Sequence, residues 1–166
     1  MNKRKNIIKI AIDSPAAAGA GTLAKALSKH YNLFYLDTGK IYRYIAFLKI
    51  KFPKKFSQKF VKKKIKSLKK NQLSGKNLLS NQVGTVASII SKSKNIRKIV
   101  HTFQVNFAYN PPKKFSGSCL DGRDITYKIV PDADFKFYIT ANLNVRALRR
   151  HKELRKLGSK ITLSEV

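Results

Sequence analysis

Apolar residues follow two rhythms along this chain. "IIKIAI" at 7–12 is an almost unbroken apolar run, which is how a strand buried on both faces reads. "LFYL" at 33–36, "SCL" at 118–120 and "FKFYIT" at 135–140 are the other short runs. Between them the apolar positions fall at helical spacing. Leu23, Ala26 and Leu27 share one face of a helix over 22–30. Ile41, Ile45 and Leu48 share one face of a helix that starts after "DTG" and that Pro53 helps to end. Residues 54–70 predict a basic amphipathic helix carrying Phe56, Phe60, Ile65 and Leu68. Residues 81–108 predict two helices with a break near 94–95, and 142–156 a helix capped by Asn142 or Asn144 and stopped by Gly158. "NQLSGKN" and "PPKKFSGS" read as loops.

Strands separated by helices imply a mostly parallel sheet in a three-layer α/β/α arrangement. The 166 residues suffice for one domain with a sizeable core. There is no internal repeat, and no apolar run approaches the length of a membrane-crossing helix. The start "MNKRKNIIKIAIDS" is basic, but its apolar stretch ends at Asp13 and reads as a first strand rather than a signal peptide. The lone cysteine, Cys119, allows neither an intrachain disulfide nor a zinc site; it is expected in the core of a cytoplasmic protein.

Charge changes the picture less than its size suggests. Lys and Arg number 36 against 8 Asp and Glu, a formal net charge of +28. Such a balance points to polyanions. The lysines are spread along most of the chain, however, without the aromatic interleaving of an RNA-binding motif. Compositional drift is the preferred reading, with no specific nucleic-acid partner and no membrane partner expected. The basic helix at 54–70 is read in the same way, as a solvated helix on a mobile subdomain.

The scarce acids say more. None lies between Thr38 and Leu120, and Asp13, Asp37 and Asp121 each directly follow an apolar strand-like run. In open α/β sheets ligands bind at the carboxyl ends of strands, so these three sit where chemistry is expected. The alternative for them is capping and turn formation. The three histidines, His30, His101 and His151, make no ligand pattern.

The segment "AIDSPAAAGAGTLAKAL" runs from a strand through small residues into a helix. That is the layout of a phosphate-binding loop, in which main-chain N–H groups converge on a phosphate at a helix N-terminus. Against G-x-x-x-x-G-K-[ST], Ser14 replaces the first glycine, Gly19 matches the second, Ala20 replaces the lysine, and Gly21 and Thr22 follow. Thr22 keeps a hydroxyl suited to Mg²⁺. The loop expected to hold phosphate comprises Ser14, Pro15, Ala16, Ala17, Ala18, Gly19, Ala20, Gly21 and Thr22.

"LDGRDITYKIVPDADFKFYITANLNVRALRRHKEL" closely resembles the corresponding stretch of the bacterial cytidylate kinases. "YLDTGKIYR", "AIDSPAAAGAGT" and "VASIISKSKNIRKIVHTFQVNFA" resemble their remaining motifs, in order and over nearly the whole chain. The resemblance implies a P-loop nucleoside monophosphate kinase fold, ATP and Mg²⁺ as cofactors, and phosphorylation of CMP or dCMP. It implies one domain over 1–166, with a monophosphate-binding subdomain at 38–108 and the start of a lid at 142–166. By resemblance Asp37, Thr38 and Arg43 face the monophosphate, Arg123 and Asp124 read cytosine and its sugar or phosphate, and Arg146, Arg149 and Arg150 are lid arginines at the transferring phosphate. Lys40, just after "DTG", is the candidate to cover for the missing lysine; its alternative is a solvated surface lysine.

The departures are Ala20, Val105 in place of an arginine, Thr126 in place of a glycine, a shortened stretch between Arg43 and Val83, and no final helix and strand. The missing final helix and strand are read as a chain incomplete at its C-terminus. A degenerate kinase-like nucleotide- or RNA-binding protein is the alternative function. The chain is expected to be monomeric.

Overall fold

The computed structural model describes residues 7–166. The basic start at 1–6 lies outside them. The chain divides into two compact units: the chain up to Thr38 with Gln104–Ala141, and Gly39–Phe103 with Asn142–Val166.

In the first unit, strands β1 (Ile8–Asp13), β2 (Leu33–Asp37), β3 (Gly117–Gly122) and β4 (Phe135–Tyr138) form one sheet in the order β2-β3-β1-β4. Every pairing is parallel. The register sets Ile12 beside Asp121, and Asp121 beside Asp37. Helix α1 (Ala20–His30) covers one face. The sheet has helices on both sides, as its parallel strands require.

Side-chain parity divides the sheet. Ile10, Ile12, Leu33 and Cys119 pack with Ala20 and Ala24 of α1. Burial pushes the Cys119 thiol up to about 11, so it stays a protonated core group. On the other face, Phe34 stacks on Phe107, ring centroids 4.0 Å apart. Ser118 Oγ donates to the Ala108 carbonyl at 2.7 Å. Phe107 and Ala108 belong to α5 (Lys94–Tyr109). Fully buried Ile12, Leu120 and Ile125 contribute roughly 1.5–3 kcal/mol each.

The expected apolar face of α1 is shifted. Ala20, Ala24 and Ser28 are buried, Leu23 and Leu27 pack at the margin, and Ala26 is exposed. Small residues at i, i+4 spacing let the helix approach the sheet closely, which leaves the larger leucines at its flanks. The fourth strand is shorter than the 135–140 expected. It is an edge strand, and its Phe135, Phe137 and Tyr138 are exposed.

In the second unit, α2 (Gly39–Lys51) buries Ile41, Ile45 and Leu48, as its periodicity requires, and packs on α4 (Asn81–Ile90). The basic helix α3 spans only Gln58–Lys66. Pro53 begins a separate 3₁₀ turn (Pro53–Lys55), and the Ser57 hydroxyl caps α3 by accepting from Phe60 N. Its buried residues are Val61 and Ile65; Phe56, Phe60 and Leu68 stay half-buried. The expected loop "NQLSGKN" is instead two 3₁₀ turns, Lys70–Leu73 and Lys76–Leu79. Helix α6 (Leu143–Lys156) starts at an Asn142 cap, and Gly158 follows its end with φ +83°. Among the described residues no helix is long and apolar enough to cross a membrane.

Candidate active site

Three strand ends and the loop entering α1 define the upper edge of the first unit. The loop 14–19 leaves β1 at Asp13, and Ser14 N donates to the Gly122 carbonyl of β3 at 3.0 Å. Two residues of this loop have left-handed backbone: Ala17 with φ 59° and Gly19 with φ 106°. The second is a conformation suited to glycine. At Ala17 it costs about 1–2 kcal/mol, strain that a functional loop can carry. Gly19 is the N-cap of α1, and its carbonyl accepts from Thr22 N and Leu23 N at 3.0 and 3.2 Å. The first N–H groups of the helix therefore meet the loop, with the positive end of the helix dipole behind them.

Ala20 opens the helix but faces inward. It is 3% exposed and belongs to the core cluster beneath α1. Position 20 contributes a main-chain N–H and no charge. Thr22 is exposed. Lys40 lies in the first turn of α2, in the second unit, and is half-buried.

The three acids at strand ends separate by parity. Asp37 and Asp121 are register partners on the α1 side of the sheet. A Cβ at Gly21 would stand 3.4 Å from Asp121 Oδ2 and 3.6 Å from the Tyr35 hydroxyl, so the helix approaches the pair closely only because residue 21 has no side chain. Asp121 is 8% exposed, and neither its Oδ1 nor the Tyr35 hydroxyl closes a hydrogen bond. Burial, and then the charge of Asp37, push the Asp121 carboxyl up to about 7. The Tyr35 hydroxyl favours the ionised form by its proximity, outside hydrogen-bonding geometry. Burial and the two carboxylates push the Tyr35 phenol far up.

Asp13 points to the opposite face and serves the scaffold. Its Oδ1 accepts from Ile125 N at 2.7 Å, and its Oδ2 from Thr126 N at 3.1 Å and the Thr126 hydroxyl at 2.5 Å. The turn it holds, Ile125–Ile129, is a π-type turn closed by Ile129 N to the Asp124 carbonyl and Val130 N to the Ile125 carbonyl. Such turns are rare and gather at functional sites. Asp124 precedes it with φ 62°. The Asp124 carboxylate takes the Tyr127 hydroxyl on Oδ1 at 2.5 Å and Lys128 Nζ on Oδ2 at 3.3 Å. Arg123 is exposed. Thr38 is 3% exposed and donates both its N–H and its hydroxyl to the Asp121 carbonyl, at 3.0 and 2.9 Å.

The remaining candidates lie in the second unit. Arg43 Nη1 donates to the Leu78 carbonyl at 2.8 Å, and the guanidinium lies against Gly84, where a Cβ would stand 3.3 Å from Nη2. Arg146, Arg149 and Arg150 follow one another along α6, and Arg150 pairs with Glu153 at 2.6 Å.

Sequence reasoning missed Tyr35 and Tyr127, and it marked Thr126 only as a departure without its role. Tyr35 was accessible, because it lies two residues before Asp37 on a strand and so shares its face. Thr126 and Tyr127 depend on the π-type turn, which has no local sequence signal.

Among the described residues no group of three or more His, Cys, Asp or Glu could hold a metal. The Asp37–Asp121 pair, with its buried unpartnered oxygen, and the Thr22 hydroxyl are hard oxygen donors of the kind Mg²⁺ takes alongside phosphate and water.

Comparison with known proteins bears on this arrangement. The family model described as cytidylate kinase matches residues 10–166. The chain is 43% identical to the cytidylate kinase of Bartonella tribocorum over 158 residues, covering 95% of this chain and 72% of that protein. It is 37% identical to the cytidylate kinase of Rhodospirillum rubrum, covering 95% of this chain and 74% of that protein. With the Mesorhizobium japonicum cytidylate kinase it shares 36% identity over 162 residues, 97% of this chain and 73% of that protein. A parallel sheet with a strand–loop–helix turn at its upper edge and a family match over almost every described residue give one answer: this chain belongs to the cytidylate kinase family, nucleoside monophosphate kinases of the α/β P-loop fold.

Proposed function

We propose that the chain transfers the γ-phosphoryl group of ATP to CMP or dCMP, giving CDP or dCDP, a step of pyrimidine nucleotide metabolism. The observation that carries this reading is the loop between β1 and α1. Its residues 17 and 19 are left-handed, and the helix it enters brings Gly21 up against Asp121, the register partner of Asp37. Main-chain N–H groups where the loop 14–22 enters α1 hold the ATP phosphates, which needs backbone geometry rather than the lysine that Ala20 replaces. Thr22, with Asp37 and Asp121 beside the helix start, would hold Mg²⁺; when bound, the ion supplies positive charge against the phosphate oxygens.

Asp124 accepts the cytosine amino hydrogens, and Arg123 contacts the same nucleotide. Arg43 takes the monophosphate, the geometry its fork of donors suits. Thr38 spends its hydroxyl on the Asp121 carbonyl. Its part is to hold the ends of β2 and β3 in register. Arg146, Arg149 and Arg150 offset charge on the transferring group. If no other cation stands in for the loop lysine, transfer is slower by about 10²–10³-fold, the scale of one lost transition-state donor.

The test is direct observation of product. With ATP, Mg²⁺ and CMP, ³¹P NMR should show CDP and ADP rising together. ADP rising with inorganic phosphate and no CDP would overturn the assignment.

A further inference from the structure

The turn 125–129 carries two side chains that nothing above puts to use, Tyr127 and Lys128. Tyr127 is 60% exposed, yet its hydroxyl is committed: it donates to Asp124 Oδ1 at 2.5 Å. The carboxylate in turn holds the phenol above its usual value. Lys128 reaches the other oxygen, at 3.3 Å, as an i,i+4 pair. Asp124 itself has left-handed backbone, which a non-glycine residue adopts at a cost. The turn that follows is fixed from behind by three hydrogen bonds to Asp13. A strained backbone, a rigid turn and a phenol thus converge on one carboxylate.

We propose that Tyr127 is a specificity-determining positioning residue that makes the Asp124 site select a pyrimidine bearing an amino group over one bearing a carbonyl. The inference rests on the reading of Asp124 as the residue that meets the base. Each carboxylate oxygen has two lone-pair sites, so the Tyr127 hydroxyl takes up only one of the two on Oδ1. The phenol's only proton points at Asp124, so its oxygen presents lone pairs alone to a ligand. A donor such as the cytosine amino group then meets acceptors on both residues. A uracil carbonyl at that place meets lone pairs on both, with no proton to take. The phenol also holds the carboxylate in one rotamer, which lowers the ordering cost of binding. The exposed Lys128 pair is worth little by itself and sets no selectivity.

Calorimetric titration of the chain with CMP and with UMP tests this, using Tyr127→Phe and Asp124→Asn. Tyr127→Phe deletes one hydroxyl from an exposed ring, and its melting temperature should stay within a degree or two of the parent. The expected result is CMP affinity down about tenfold, UMP affinity unchanged or improved, and the CMP/UMP ratio reduced accordingly. A purely structural role would lower both affinities together and leave the ratio intact, which would overturn the proposal. If Asp124→Asn abolishes CMP selectivity while Tyr127→Phe leaves it intact, the proposal fails and the Asp124 reading stands. If Asp124→Asn leaves CMP binding unchanged, the Asp124 reading fails and takes the proposal with it.

Discussion

Thr126 donates its hydroxyl to Asp13 Oδ2 at 2.5 Å and its main-chain N–H to the same oxygen at 3.1 Å. This fastens the residue after β1's last apolar position to the turn after β3. Asp13 is 8% exposed, so these donors take the place of the water its carboxylate lacks. Thr126→Val keeps the shape and removes one donor to a carboxylate. It should cost about 1.5–3 kcal/mol in urea unfolding, and Thr126→Ser should recover most of it. An unchanged midpoint for the valine variant would show that the hydroxyl contributes nothing.

Asp121 gives stability a definite pH dependence. Its folded value of about 7 lies above the ordinary carboxylate value, so between the two the native state holds a proton that the unfolded chain has released. Stability contributed by that proton is present below about pH 4, falls as pH rises toward 7, and is gone above it. Asp121→Asn cannot ionise and escapes the fall. In the absence of Mg²⁺ it should exceed the parent by on the order of 2–4 kcal/mol at pH 8, and by little at pH 4. An equal difference at both pH values would contradict the assignment.

Ala20 sets two opposed expectations. Its methyl is packed in the core, so Ala20→Lys must lead a long side chain out past α1 and should cost roughly 1–3 kcal/mol of stability. If Lys40 supplies the missing charge, Lys40→Ala lowers kcat by about 10²–10³-fold, and Ala20→Lys added to it restores much of the loss. Normal turnover by Lys40→Ala would assign the charge elsewhere, with the arginines at 146, 149 and 150 as the next candidates.

Gly84 lies inside α4 against the Arg43 guanidinium. Gly84→Ala gains about 1 kcal/mol of helix propensity and pushes the guanidinium aside by a few tenths of an ångström. The variant should melt no lower than the parent and bind CMP several-fold more weakly, as read by calorimetry. Undiminished CMP affinity would remove Arg43 from the monophosphate site.

The pattern of apolar runs placed all four strands to within a few residues, drawing the exposed edge strand β4 two residues too long, and β1 and β3 were the plainest because buried parallel strands leave no polar alternation to misread. Ile41, Ile45 and Leu48 were legible as one buried face for the same reason: α2 has one apolar stripe. What failed was local choice under tertiary control. The face of α1 was misjudged because Ala20, Ala24 and Ser28 pack by smallness, not by hydrophobicity. The loop 14–22 was visible as strand, small residues and helix. The acids at the strand ends were visible too, but their division was not. Asp37 and Asp121 fall on one face and Asp13 on the other, which follows from register between strands far apart in sequence.

The central claim is that a loop without its lysine still binds ATP through backbone geometry, and Gly19 carries that geometry at φ 106°. ATP affinity, measured by calorimetry with Mg²⁺ for the parent and for Gly19→Ala, tests it most directly. A side chain at 19 forces this left-handed residue to strain or shift, and the converging N–H groups move with it. The account predicts measurable ATP binding by the parent and a loss of about tenfold or more in Gly19→Ala, with the fold retained by circular dichroism. ATP binding as tight in Gly19→Ala as in the parent would contradict it.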